Sequence, residues 1–140
     1  MTGIVHPMED VPDPMFAQKV MGDGFAIELT GDEVRAPFSG VIAAAFPTGH
    51  AFGLKTADGT ELLIHVGIDT VTLDGRGFQV KVKEGDKIRQ GDILVVVDTE
   101  YIKSQGKSLY SPVVFTNGRT ISLLCAGSVN AGDKGIIKIQ

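Results

Sequence analysis

The chain has 140 residues and one cysteine, so no internal disulfide can form. In the apolar string Leu123-Leu124-Cys125-Ala126 that thiol reads as a small buried side chain rather than a reactive group. Long apolar runs are missing too. The longest, Val41 to Phe46 and Ile93 to Val97, fall far short of the ~20 residues that a bilayer-spanning helix needs. Met1 to Pro14 lacks a basic stretch followed by an apolar one and carries Glu9, Asp10 and Asp13, which argues against a secretory signal and for a cytosolic address. Positive charge is also scarce: 13 Lys and Arg against 17 Asp and Glu leave a net charge of −4, with no basic cluster. That balance excludes nucleic acid as a partner.

Glycine, by contrast, is abundant, 18 residues, about twice its average share. Gly, Pro, Asn and Asp punctuate the chain at short intervals, and between them lie short β-branched or alternating stretches. These are Gly24–Leu29, Gly40–Phe46, Ala51–Thr56, Thr60–Val66, Phe78–Val82, Ile93–Val97, Val113–Phe115, Thr120–Leu124 and Gly135–Ile139. The pattern predicts an all-β fold, an antiparallel sandwich or barrel. Two helical turns are predicted, one at Asp13-Pro14-Met15-Phe16 from its cap and following proline, the other at Thr99–Gln105 with Thr99 as cap. No linker interrupts the sequence, so residues 1–140 read as one domain with residues 1–10 a partly extended N-terminal segment. Gly-Asp recurs at 85–86, 91–92 and 132–133, as suits the tight corners of a small curved sheet.

The segment from Pro47 to Val71 holds two of the three histidines. Asp58-Gly59 between apolar stretches predicts a two-residue hairpin turn. Ala57 then pairs with Thr60, His65 faces Phe52, and His50 faces Gly67. In that register His50, Phe52, Leu54, Leu63, His65 and Gly67 share one face, and the histidines become diagonal neighbours, with Cβ atoms roughly 7–8 Å apart. A slip of one residue would send them to opposite faces. A neutral imidazole offers one nucleophilic nitrogen, and a second ring beside it can hydrogen-bond the oxygens of a transferring phosphoryl group. Thr48 is placed to orient His50, and Asp69 to hold the site or meet a cationic partner. From the residues alone, two readings stand: a phosphoryl-accepting pair, or two satisfied core histidines.

A resemblance separates them. Val11-Pro12-Asp13, Ala36-Pro37-Phe38-Ser39-Gly40, Phe46-Pro47-Thr48-Gly49-His50-Ala51, the stretch Leu62-Leu63-Ile64-His65-Val66-Gly67-Ile68-Asp69-Thr70-Val71 and Ser111-Pro112-Val113-Val114-Phe115 resemble, in this order, the EIIA domain of the glucose family of the bacterial sugar phosphotransferase system. The likeness runs from about Gly3 to Ile139. It implies a β-sandwich of the duplicated-hybrid-motif type that takes a phosphoryl group from the histidine phosphocarrier HPr and passes it to a cysteine of the EIIB domain of a sugar permease. It further implies His65 as the phosphorylated residue, through Nε2, His50 as its transfer partner and Thr48 as the neighbour of His50. Phe16, Val20, Met21, Phe46 and Val71 correspond to an apolar ring around the site, and Asp13 and Asp69 to acidic positions that meet basic residues of the phosphocarrier. Such domains can also act on regulatory targets through their phosphorylation state. No cofactor is implied, and the domain is either free or a cytoplasmic part of a permease. Two positions depart from the family: Leu29 stands where proline is common, and Gly49 where many members have a polar or basic residue.

Other motifs compete. His65 and Asp69 match the His-x-x-x-Asp opening of lysostaphin-like zinc peptidases, but the His-x-His partner is absent and catalytic zinc takes three protein ligands. Zinc is therefore not required, though adventitious zinc between His50 and His65 is compatible with the residues. Glu84 to Leu94 is similar to swinging-arm carriers, without their modified-lysine tripeptide. Gly106-Lys107-Ser108 ends like a phosphate-binding loop, but Tyr101 occupies the first glycine position. His6, next to Pro7, reads as a surface residue.

Overall fold

The computed structural model describes residues 3–18 and 22–116 and three strands at 121–123, 127–129 and 137–139. Val20, Met21 and Cys125, each singled out above, lie outside the described residues. In chain order the elements are β1 (Gly3–Pro7), a 3-10 turn (Met8–Asp10), α1 (Pro14–Ala17), β2 (Asp23–Leu29), β3 (Glu33–Arg35), β4 (Gly40–Ala45), β5 (Ala51–Lys55) and β6 (Glu61–His65). A second 3-10 turn (Thr70–Leu73) follows, then β7 (Phe78–Val80), β8 (Lys87–Ile88), β9 (Ile93–Val97), α2 (Thr99–Ser104), β10 (Tyr110–Phe115), β11 (Ile121–Leu123), β12 (Gly127–Val129) and β13 (Ile137–Ile139).

An eight-stranded antiparallel sheet runs β12-β1-β2-β10-β6-β5-β4-β8, beside a three-stranded sheet β3-β9-β7 and a β11-β13 pair. Among the described residues no sheet closes into a barrel. Alternation explains the layers. Phe25, Ile27 and Leu29 of β2, Val113 and Phe115 of β10, Leu62 and Ile64 of β6, and Phe52 and Leu54 of β5 point to one side. There they meet Val34, Leu94, Val95 and Val97 of the smaller sheet and Ile102 of α2. Fully burying each large apolar side chain contributes roughly 1.5–3 kcal/mol before entropy is subtracted.

The opposite side of the large sheet is covered by the N-terminal segment. Met8, Val11 and Phe16 pack there on Ala26, Ile68 and Val114, with Leu63 and Tyr110 partly buried beside them. Helix α1 begins at Pro14, and the Asp13 carbonyl accepts from Phe16 and Ala17 N–H at 3.1 and 2.9 Å. Through this layer Phe16 reaches the end of β6. No helix among the described residues is long and apolar enough to cross a membrane.

Three local expectations need correction. The cap of α2 is Asp98, whose Oδ1 accepts from Tyr101 N–H at 3.0 Å, and not Thr99. The β5–β6 connection has three residues and not two: Thr56 N–H bonds the Thr60 carbonyl at 2.9 Å, and Gly59 at φ +88° closes the loop. Asp58 is the reason. Its Oδ1 accepts from Thr60 N–H at 3.1 Å and from the Thr56 hydroxyl, and Asp58 is not among the positive-φ residues that a two-residue turn of the expected type requires. His6, expected at the surface, is half-buried. It stacks on Tyr110 with centroids 4.7 Å apart, its Nε2 is 3.3 Å from Glu28 and its Nδ1 is 3.6 Å from Asp10. The Gly-Asp repeats at 85–86 and 91–92 are two copies of one turn, with Asp86 accepting from Lys83 N–H at 2.9 Å and Asp92 from Arg89 N–H at 2.8 Å.

Candidate functional site

The three-residue loop shifts the register by one, so that His65 pairs with Ala51 and Ile64 with Phe52. By strict alternation His50 and His65 would now point to opposite sides. They meet nonetheless, with ring centroids 5.3 Å apart and planes at 68°. The two histidines thus converge as expected, but not through the expected strand register. His50 lies before β5, at the end of a turn closed by Gly49 N–H on the Phe46 carbonyl at 2.8 Å, so its side chain escapes the alternation of the strand. Gly49 has φ +73°, and a Cβ there would come within 2.8 Å of Val80 and 2.9 Å of Phe78. A side chain here would therefore be strained by its backbone conformation and would meet both neighbours. The Val66 N–H bonds the His50 carbonyl at 2.6 Å and ties the turn to the end of β6.

The two rings are held differently. His65 Nδ1 lies 2.6 Å from the Gly67 carbonyl, which can only accept, so in the neutral ring Nδ1 carries the proton and Nε2 presents a lone pair. His50 Nδ1 is hydrogen-bonded to the Thr48 hydroxyl, which can donate or accept. When that hydroxyl donates, the His50 proton sits on Nε2, ready for an oxygen acceptor. Phe16 packs on His65 with centroids 5.3 Å apart, and Phe46 meets His50 edge-on at 5.3 Å.

Burial lowers the pKa of both rings below 6.5. For His65, desolvation outweighs three opposing influences, the Gly67 carbonyl and the charges of Asp13 and Asp69. For His50, desolvation is joined by repulsion from His65. Both rings are therefore predominantly neutral at pH 7, which leaves a nucleophilic nitrogen available. Of the predicted apolar ring, Phe46 is 43% and Val71 50% exposed, whereas Phe16 is buried. Asp69 is exposed at φ +58°, and Asp13 is half-buried. Thr48, His50, His65, Phe16 and Phe46 are thus brought into one contact set, and Asp13 and Asp69 act on it through space.

The sequence reading missed the Gly67 carbonyl, although glycine two residues after a histidine was its visible trace. It also gave no role to buried Ser111. A concavity of 520 Å³ between β7, β9 and α2 is lined by Phe78, Val97, Asp98 and their neighbours and by neither histidine. Among the described residues no group of three or more His, Cys, Asp or Glu is arranged to hold a metal ion.

A family profile described as phosphoenolpyruvate-dependent sugar phosphotransferase system, EIIA 1, matches residues 1–121. The chain is 48% identical over 135 residues to a glucose-specific EIIA component of Staphylococcus epidermidis, covering 96% of this chain and 81% of that protein. Against a glucose-specific EIICBA component of Staphylococcus carnosus it is 50% identical over 137 residues, 96% of this chain but 20% of that protein. Among solved structures, the glucose permease IIA of Mycoplasma capricolum superposes with a TM-score of 0.92 at 40% identity, covering 97% and 90% of the two chains.

Proposed function

The chain belongs to the EIIA 1 family of the phosphoenolpyruvate-dependent sugar phosphotransferase system, and from that membership we propose how its residues divide the work. As a phosphotransferase component, it carries a phosphoryl group from HPr to EIIB. In our reading His65 Nε2 attacks the phosphoryl phosphorus as the N–P bond to the histidine of HPr breaks. The second transfer runs the same way: the EIIB cysteine thiolate forms the S–P bond, and the His65 N–P bond breaks. Each donor leaves as a neutral ring. His50 Nε2–H hydrogen-bonds the phosphoryl oxygens, a contact worth most where negative charge spreads in the loose transition state, and Thr48 aims that ring.

The observation that carries this reading is the His65 Nδ1 bond to Gly67, because it commits the ring's lone pair to Nε2. An apolar collar of Phe16, Phe46 and Val71 excludes water that would hydrolyse the phosphohistidine, a role that the family likeness assigns also to Val20 and Met21. Asp13 and Asp69 steer a basic partner surface. We place the chain in the cytoplasm as one domain, feeding a permease of the glucose class, with regulatory partners that distinguish the charged phosphorylated face from the unmodified one. Incubation with phosphoenolpyruvate, enzyme I and HPr, followed by mass spectrometry, tests the assignment. One acid-labile adduct on His65 is expected, and an adduct on any other residue overturns it.

A further inference from the structure

The peptide that orients His65 is itself held by a side chain. We propose that Ser111 is a positioning residue for phosphoryl transfer, its hydroxyl anchoring the Gly67 peptide whose carbonyl fixes the His65 tautomer. This rests on the reading of His65 as nucleophile.

Ser111 is 0% exposed and stands near the start of β10. Its Oγ is 3.1 Å from Gly67 N and 3.1 Å from the Leu109 carbonyl. The hydroxyl has one proton, and a carbonyl cannot donate. The proton therefore goes to Leu109, and an oxygen lone pair receives the Gly67 N–H. The route to the site is short: Ser111 Oγ holds Gly67 N–H, and the Gly67 carbonyl holds His65 Nδ1–H at 2.6 Å.

Strand pairing shows why a side chain is needed. The β10–β6 ladder ends with Val113 opposite Ile64, a register that would set Ile68 against Leu109. Ile68 instead bridges Ser108, one residue away, with its N–H on the Ser108 carbonyl at 3.2 Å. In the intervening irregular stretch the Ser111 hydroxyl takes the Gly67 N–H that a regular ladder would have had to satisfy. Replacing Ser111 with an apolar residue leaves that buried donor without this acceptor and lets the peptide rotate. The His65 proton is then free to move to Nε2, which removes the nucleophilic lone pair.

The test compares Ser111→Ala, Ser111→Val and Ser111→Thr by ¹⁵N NMR of the histidine rings, without any phosphoryl donor, and by single-turnover acceptance from phospho-HPr. The unsubstituted protein and Ser111→Thr should hold His65 in the Nδ1–H form. Ser111→Ala and Ser111→Val should show mixed tautomers and accept about tenfold more slowly, with the His50 signals unchanged. A single unchanged His65 tautomer in either apolar variant overturns the proposal, even if its rate falls, because slow transfer would then reflect general loosening. Should neither apolar variant fold, amide exchange in the unsubstituted protein decides. Slow exchange at Gly67 supports the anchor, and fast exchange overturns it. An adduct away from His65 would defeat the assignment of the nucleophile while leaving the tautomer result intact.

Discussion

The two walls of the site carry the same residue type and hold it by different means. On the β6 wall a backbone carbonyl, fixed in turn by a buried hydroxyl, allows His65 only one neutral tautomer. On the other wall the Thr48 hydroxyl can either donate or accept, so either neutral tautomer of His50 keeps this bond without moving its ring. A nucleophile needs its lone pair always on the same atom. A partner that meets the phosphoryl group of two successive complexes gains from a proton that can be repositioned. The difference between the walls is a difference between an acceptor that cannot switch and one that can.

The comparison breaks most visibly at His65. His65→Gln should abolish acceptance, a loss of at least about 10³-fold set by removal of the nucleophile, measured as the missing adduct after incubation with phospho-HPr. His50→Gln should still accept, since the attacking nitrogen remains, but should pass the group to EIIB about 10²-fold more slowly. Rapid-quench measurement of both half-reactions checks this, and equal losses in the two would erase the division of labour. Thr48→Val should cost onward transfer about tenfold and Thr48→Ser almost nothing. A serine variant as slow as the valine variant would show that packing rather than the hydroxyl matters.

Smaller effects come from pH and from the rim. Because both rings titrate below 6.5, acceptance should hold steady as pH falls through 6.5 and decline only lower. The stability linkage has a definite sign. Below pH 6.5 the unfolded chain takes up protons that the folded rings refuse, so stability falls as pH drops from 6.5 toward the folded values. His65→Gln should make that part of the profile shallower in thermal unfolding at stepped pH. Finally, Phe46→Ala and Val71→Ala should raise KM for phospho-HPr about three- to tenfold with little change in kcat or melting temperature, as expected of exposed interface side chains. A matching fall in melting temperature would make them structural instead.

Much of this was visible in the sequence, and the failures are informative. Strands with clear alternation, such as β6 with buried Leu62 and Ile64, were read close to their observed limits. The strands β1, β3, β8 and β12 were not among the predicted stretches, since they pair through long-range neighbours and not through a local hairpin signal. The Asp58-Gly59 signal marked a real hairpin and the wrong loop length, since the Asp58 carboxylate found Thr56 and Thr60 and favoured the longer loop. That error reversed the predicted face of one histidine, and the turn before β5 reversed it again. Ser111 carried no signal of its own, because its acceptor role depends on an irregularity between two strands far apart in the chain.

Turn spacing, the β class and the motif around each histidine follow from the order of the residues, because backbone preference and alternation act over a few neighbours. The meeting of the rings, the tautomer of His65 and the depressed basicity of both belong to the folded molecule. They depend on distance and desolvation between segments that the chain itself keeps apart, and neither quantity exists until the sheet and its N-terminal cover have packed.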